Sequence, residues 1–377
     1  MQVVGRGLIW DAATCTDGRA AASFVALCAA ADGSLYASFR RGSSKDSTDG
    51  NATICRSDDE GRTWQVVCDG LRTEHASCHR QLVTASLYEA EPGRLGCFAT
   101  LFETREDSRL YDSSGDALLP SWLVLADSTD RGVSWGDYRV LDTQGLPGCS
   151  ATGSTAMLAD GRVVLPFESY GTRPGSEERV HAACAFLLGP ERGPGDPVVI
   201  ASDPQRRVYY WDQRVALCPL RATPVAMFWT YDRRSEQDLP IGIAWGSADG
   251  LSWEQPSATG LAGQISQPIP LPDGRLAAFY VHRHAPPSMR LALSGDGGRT
   301  WDPDDELVVY DAAADAAGRG DGSYTDYWDE MFTWTFGHPA GLVLPGGDLL
   351  LAYYAGLSPE HLSIHWARVR ARAGSSR

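Results

Sequence analysis

SDDEGRTW, residues 57–64, packs three acids, a glycine and a tryptophan into eight positions, and the chain repeats it. STDRGVSW occupies 128–135, SGDGGRTW 294–301, and a shortened SADGLSW 247–253. The shared frame is Ser-x-Asp-x-Gly-x-Thr/Ser-Trp. Each piece suits a tight hairpin turn. The carboxylate accepts hydrogen bonds from backbone N–H groups a few residues on, glycine supplies a backbone angle that other residues resist, and tryptophan is a large apolar anchor. Repetition points to architecture rather than to four active sites, so Asp59, Asp130 and Asp296 are expected to hold turns and not to catalyse.

A second repeat runs between these turns. AADGSLYASF (30–39), LADGRVVLPF (158–167), LPDGRLAAFY (271–280) and LPGGDLLLAYY (344–354) each set a glycine turn before an apolar strand. EPGRLGCFATLF (91–102) is a looser copy, and PLRATPVAMFWTY (219–231) keeps the strand without the glycine. The order strand, turn, strand, strand, Asp turn, strand describes a four-stranded propeller blade. The fold class expected is all-β: a six-bladed β-propeller of antiparallel blades in one domain over 1–377, with blades near 20–75, 76–148, 149–207, 208–262, 263–332 and 333–377. The last repeat lacks a fourth strand, and VVGRGLIW (3–10) is a spare one. Pairing the two closes the ring, removes two sheet edges and predicts a monomer-capable chain.

Composition narrows the partners. The net charge is −15 and the only lysine is Lys45, which disfavours nucleic acid and anionic membranes. No apolar run reaches the roughly 18 residues of a membrane span, and MQVVGRGLIW lacks the apolar core of a signal peptide, so a cytoplasmic location is expected. Nine cysteines without CxxC spacing read as small buried hydrophobes. His282-x-His284 puts two histidines on one strand face without a third ligand, and reads as packing. No metal or cofactor is expected.

With these turns and blades, the chain resembles the sialidase (neuraminidase) superfamily, whose six-bladed propellers carry such Asp boxes, also called BNR repeats. The resemblance implies that the boxes lie on the face away from the active site. It places substrate near the start of each innermost strand and the exit of each second strand. Those positions carry Arg40, Glu103, Glu168, Tyr231, Asp232, His282, Arg283, Tyr353 and Tyr354, with CHRQ (78–81), TGST (152–155), WDQR (211–214), ISQP (265–268) and FGHP (336–339). Arginine, carboxylate and histidine converging on one mouth predict a pocket.

Sialidases grip a sugar carboxylate with arginines, protonate the leaving oxygen with an Asp, and attack with a Tyr activated by a Glu. In FRRGSSKDSTDGNATICRSDDEGRTW, Arg40 and Asp46 have the spacing of the family's arginine and acid–base Asp. Two features depart from the family. Ala20, Ala21 and Ala22 stand where Arg-Ile-Pro is expected, with Arg19 nearby, and Gly337 or His338 stands where the nucleophilic tyrosine belongs. Asp212 corresponds most nearly to the family's Glu, and the third arginine is Arg290 or Arg283. Tyr324 or Tyr327 are the substitutes available for the nucleophile.

The resemblance thus implies an exo-acting glycoside hydrolase on an acidic or other terminal sugar. Asp46 would be the general acid and Asp212 the base or nucleophile. Arg40, Arg80 and Arg283 would hold an anionic group, with Arg214 beside Asp212. His79, Glu168 and His338 would contact hydroxyls, and Trp211, Trp328 and Trp334 would be candidate stacking surfaces. A polysaccharide lyase and a carbohydrate-binding propeller without chemistry are the alternatives.

Overall fold

A computed structural model gives the structure of the chain and describes all residues except 76–77, 105–109, 113–116, 190–192, 219–220, 313–330 and 372–377. The first blade comprises Ala21–Ala29, Leu35–Gly42, Asn51–Ser57 and Gln65–Asp69. The second runs through Cys78–Glu91, Arg94–Glu103, Ser121–Ser128 and Arg139–Val140. In the third, the innermost strand is split into Cys149–Ala151 and Ala156–Met157, followed by Val163–Thr172, Arg179–Leu188 and Val198–Ala201. The fourth holds Val208–Cys218, Thr223–Asp232, Gln237–Trp245 and Ser257–Ala258, and the fifth Ser266–Pro270, Leu276–His282, Ser288–Ser294 and Glu306–Asp311. The sixth is Phe336–Val343, Leu349–Ser358 and His361–Arg370, completed by Gln2–Trp10, which pairs antiparallel in the register Gln2↔Arg370 and Leu8↔His365. The ring is closed by the N-terminal strand. A single parallel bridge, Ala21↔Leu362, also joins the sixth blade to the first.

Apolar residues on both faces of the inner strands build the core as seams between successive blades. Phe39 packs with Leu350 and Ile364 between blades one and six, Tyr36 with Leu87 and Leu101 between one and two, and Phe98 with Phe167 and Phe186 between two and three. The repeated turns plug these seams. At the first, Asp59 Oδ1 accepts from the N–H groups of Arg62 and Thr63 at 3.0 and 2.9 Å, and Thr63 Oγ1 donates to Oδ2 at 2.7 Å. Trp64 Nε1 donates to Gly61 O at 3.0 Å. The Trp64 ring joins the seam against blade six, and a Cβ on Gly61 would meet Leu350 Cδ2 at 2.9 Å, so the turn sits directly on its neighbour. Asp130 and Asp296 repeat the pattern. These bonds hold all three carboxyls down to about 2.

Strands alternate in direction, so turns between third and outer strands lie at the end where innermost strands finish. The starts of the innermost strands open on the opposite face, where the site lies.

Candidate active site

Innermost strands of four blades are interrupted near their starts by a bulge. The register slips between Ser23 and Ala26, Leu82 and Thr84, Trp211 and Arg214, and Gly337 and Ala340. A bulge re-aims a side chain out of the sheet. Three of these slips hold a non-glycine residue in the left-handed region: Phe24 at φ 57°, Asp212 at 46° and His338 at 55°. Such a conformation costs of order 1–3 kcal/mol and clusters at functional sites. All three residues line one cleft.

Glu168, in the middle of its second strand Val163–Thr172, and Asp212, from the next blade, both line this cleft. Glu168 Oε2 accepts from the Asp212 backbone N–H at 3.1 Å. Burial, and then the Asp212 charge, push the Glu168 carboxyl up to about 8. Burial also raises Asp212, opposed by the cations Arg214, Lys45 and Arg283. The Asp212 charge acts on Glu168 while cations act on Asp212, so of the two carboxyls it is Glu168 that keeps its proton to the higher pH.

Arg214 fixes the arrangement from beneath. Its Nη1 donates to Asp212 O at 2.9 Å and Gln213 O at 3.0 Å and lies 3.7 Å from Asp212 Oδ1. Its Nη2 lies 2.9 Å from His338 Nε2. A guanidinium can only donate, so Nε2 accepts and the ring proton sits on Nδ1, 3.3 Å from Val25 O. Burial and Arg214 depress His338 well below its usual range, which keeps the ring neutral. Gly153 makes room for Arg214: a Cβ there would lie 2.1 Å from Arg214 Cδ.

Asp46 lines a smaller chamber with Arg40, Lys45 and Gln81, and the chambers share the walls Phe24, Val83, Leu110, Met331 and Phe332. Ser44 Oγ donates to Asp46 Oδ1 at 3.1 Å. Arg40, 1 % exposed, donates to Ser44 O at 3.0 Å, Lys45 O at 2.7 Å and Ser47 O. Its guanidinium is the scaffold of the loop that carries Asp46. Lys45 donates to Met331 O and lies 5.5 Å from the Trp334 ring and 5.4 Å from that of Tyr354. Burial, with Arg283 nearby, depresses this ammonium well below the usual lysine range.

Other sequence-selected residues are placed differently. Arg283 is 1 % exposed, stacked 3.7 Å over Trp334, and donates to Phe336 O at 3.0 Å. Arg290 pairs with Glu306 at 2.9 Å, and none of its described contacts joins the cleft cluster. Arg80 lies 4.6 Å over Trp122. Trp211 lines the cleft, while Trp334 is covered by Arg283. His284 Nε2 is 3.5 Å from Asp238. The His79 side chain, Tyr324, Tyr327 and Trp328 lie outside the described residues. Where a side chain at Gly337 would stand, Arg283 Nη2 and the Tyr354 hydroxyl lie 2.8 and 3.2 Å from the Cβ position. Sequence reasoning passed over Phe24 as a lining residue, and it counted Lys45 only in the charge. The uniqueness of that lysine, next to Asp46, was the available signal.

No protein-family model matches the chain, and no curated protein matches it either. Solved structures do. A protein of unknown function from Dyadobacter fermentans is 18% identical with a TM-score of 0.69, covering 98% of this chain and 99% of the other. The intramolecular trans-sialidase of Ruminococcus gnavus is 12% identical, with a TM-score of 0.62 and 98% of each chain covered. The NanB sialidase of Streptococcus pneumoniae is 12% identical, with a TM-score of 0.65 over 97% of this chain and 70% of that one. The chain has the fold of these sialidases.

Proposed function

We propose that the chain is an exo-acting glycoside hydrolase working on a terminal sugar, with Asp212 and Glu168 as its central carboxyls. The observation that carries this reading is the pair itself. Two carboxyls from adjacent blades meet in one cleft, with Glu168 accepting from the Asp212 N–H and keeping its proton to the higher pH, an arrangement that suits acid and base roles. Asp212, anionic and steered by Arg214, acts as base or nucleophile. Glu168 keeps a proton near neutral pH and can deliver it to a leaving oxygen. Asp46 is the second candidate acid, on the spacing that resembles the sialidase loop. Its loop is anchored by Arg40, which presents it to the smaller chamber.

Two observations bear on the alternatives. Arg214 occupies the Nε2 lone pair of His338, which speaks against this histidine as the proton-abstracting base of a lyase. Tyr354 and Arg283 fill the space beside Gly337, which favours either chemistry centred on carboxyls or sugar binding without turnover. A panel of chromogenic glycosides, sialosides included, separates them. A hydrolase releases reducing sugar, a lyase an unsaturated product absorbing in the ultraviolet, and a binding protein neither. Asp212→Asn is expected to lower turnover at least about a hundredfold, and unchanged turnover would remove Asp212 from the chemistry.

A further inference from the structure

Resting on the reading of this cleft as a glycoside site, we propose that its substrate is a neutral sugar bearing an apolar aglycone, rather than an acidic sugar. Three observations converge on that class.

The first is where the charges lie. Among the described residues no arginine or lysine lines the main cleft, whereas Glu168 and Asp212 both do. Of the nearby cations, Arg40 and Lys45 line only the smaller chamber and Arg214 lines neither, and all three are engaged: Arg40 by three loop carbonyls, Arg214 by Asp212, Gln213 and His338, and Lys45 by Met331 O. Arg283 retains Nε and Nη1 without an acceptor among the described residues, but it is covered by Trp334 and lines neither chamber. A carboxylate entering the cleft would meet like charge, which costs affinity steeply in a partly desolvated site.

The second is which polar groups are left open. Gln81, 1 % exposed, has neither Oε1 nor Nε2 paired and lines the smaller chamber. Thr152, 2 % exposed, has its Oγ1 unpaired and lines the main one. Buried polar groups without partners are rare and call for an explanation. An amide and a hydroxyl each donate and accept, so they match sugar hydroxyls, which do the same.

The third is the apolar lining. Phe24, Phe102, Leu110, Leu118, Met331 and Phe332 line the same cleft as the carboxyls. A sugar held at Glu168 and Asp212 by its anomeric end would place its aglycone among these side chains, where an aromatic or alkyl group is stabilised by burial.

Matched phenyl 1-thioglycosides test the proposal, because the sulfur linkage resists hydrolysis and isolates binding. Titration calorimetry would compare glucose with glucuronic acid and galactose with galacturonic acid, as both anomers, with methyl 1-thioglycosides as the short-aglycone control. At least one neutral phenyl compound should bind about tenfold or more tighter than both its acidic partner and its methyl counterpart. Phe332→Ser, at a half-buried position, should shrink the phenyl-over-methyl preference, and Leu110→Arg should shrink the discrimination against the acids. Equal or tighter binding of the acids, no gain from phenyl, or no binding of any neutral member would each overturn the proposal. Failure of the hydrolase reading looks different: the neutral thioglycosides bind, and the matching oxygen glycosides bind without being cleaved.

Discussion

Replacing Glu168 with glutamine should stabilise the protein, and by an amount that depends on pH. The carboxyl rises from the ordinary glutamate value of 4.5 to about 8 because burial and the Asp212 charge both oppose its ionisation. Below pH 4.5 the folded and unfolded chains both keep the proton and the side chain contributes no difference. Between 4.5 and about 8 only the unfolded chain releases it, so the native state loses stability as pH rises; above that the penalty is constant. At about 1.4 kcal/mol per pH unit the full effect is about 5 kcal/mol, which solvent at the cleft mouth reduces to about 2–3 kcal/mol. Glutamine mimics the protonated acid and still accepts from the Asp212 N–H. Thermal unfolding of wild type and Glu168→Gln across this range should show a Tm difference growing by roughly 3–4 °C up to pH 8, at roughly 1.3 °C per kcal/mol for a chain of 377 residues. Asp212→Asn in both proteins should narrow the window, since it removes the second cause. Other titrating groups, His338 and Lys45 included, are common to both proteins and cancel. A Tm difference that stays flat between pH 4.5 and 8 would refute the coupling.

Asp59→Ala and Asp296→Ala each remove four hydrogen bonds of a seam-plugging turn and should lower the Tm by a few degrees, with turnover per folded molecule unchanged. A stable but inactive variant would contradict that assignment. Deleting residues 1–10 bares the edge of His361–Arg370 and uncovers Trp366, against which Gly5 and Gly7 pack. Size-exclusion chromatography should then show self-association, and a monomer of wild-type stability would argue against the closure. Asp46→Asn should lower turnover more for poor leaving groups than for activated aryl glycosides. Equal activity on both would leave Glu168 as the acid.

The fold was legible because its signal is local and repeated. Each turn from Ser57 to Trp64 or from Ser294 to Trp301 carries its own reasons for folding, within one hairpin and independent of the rest of the chain. The site is a different kind of object. Glu168 and Asp212 lie 44 positions apart and acquire their coupling only when two blades dock. The bulges that aim Phe24, Asp212 and His338 inward leave no mark in periodicity, since their backbone angles are imposed by neighbours and resisted by their own side chains. Arg40 shows the other limit. Its spacing to Asp46 stood out in the sequence, but a guanidinium that grips a ligand and one that grips its own loop are written with the same letter.

The closing strand has a consequence in time. Gln2–Trp10 is made long before its partner His361–Arg370, and the pairing Gln2↔Arg370 joins strands from opposite ends of the propeller sequence. During synthesis the other blades can settle against one another as they emerge, while Gln2–Trp10 waits without its sheet. Completion of the ring is therefore a late, long-range event, set by the slow statistics of bringing distant ends together. Until it happens the nascent chain shows two open edges, and that interval is when holding factors, proteases and neighbouring chains have their best chance to engage it.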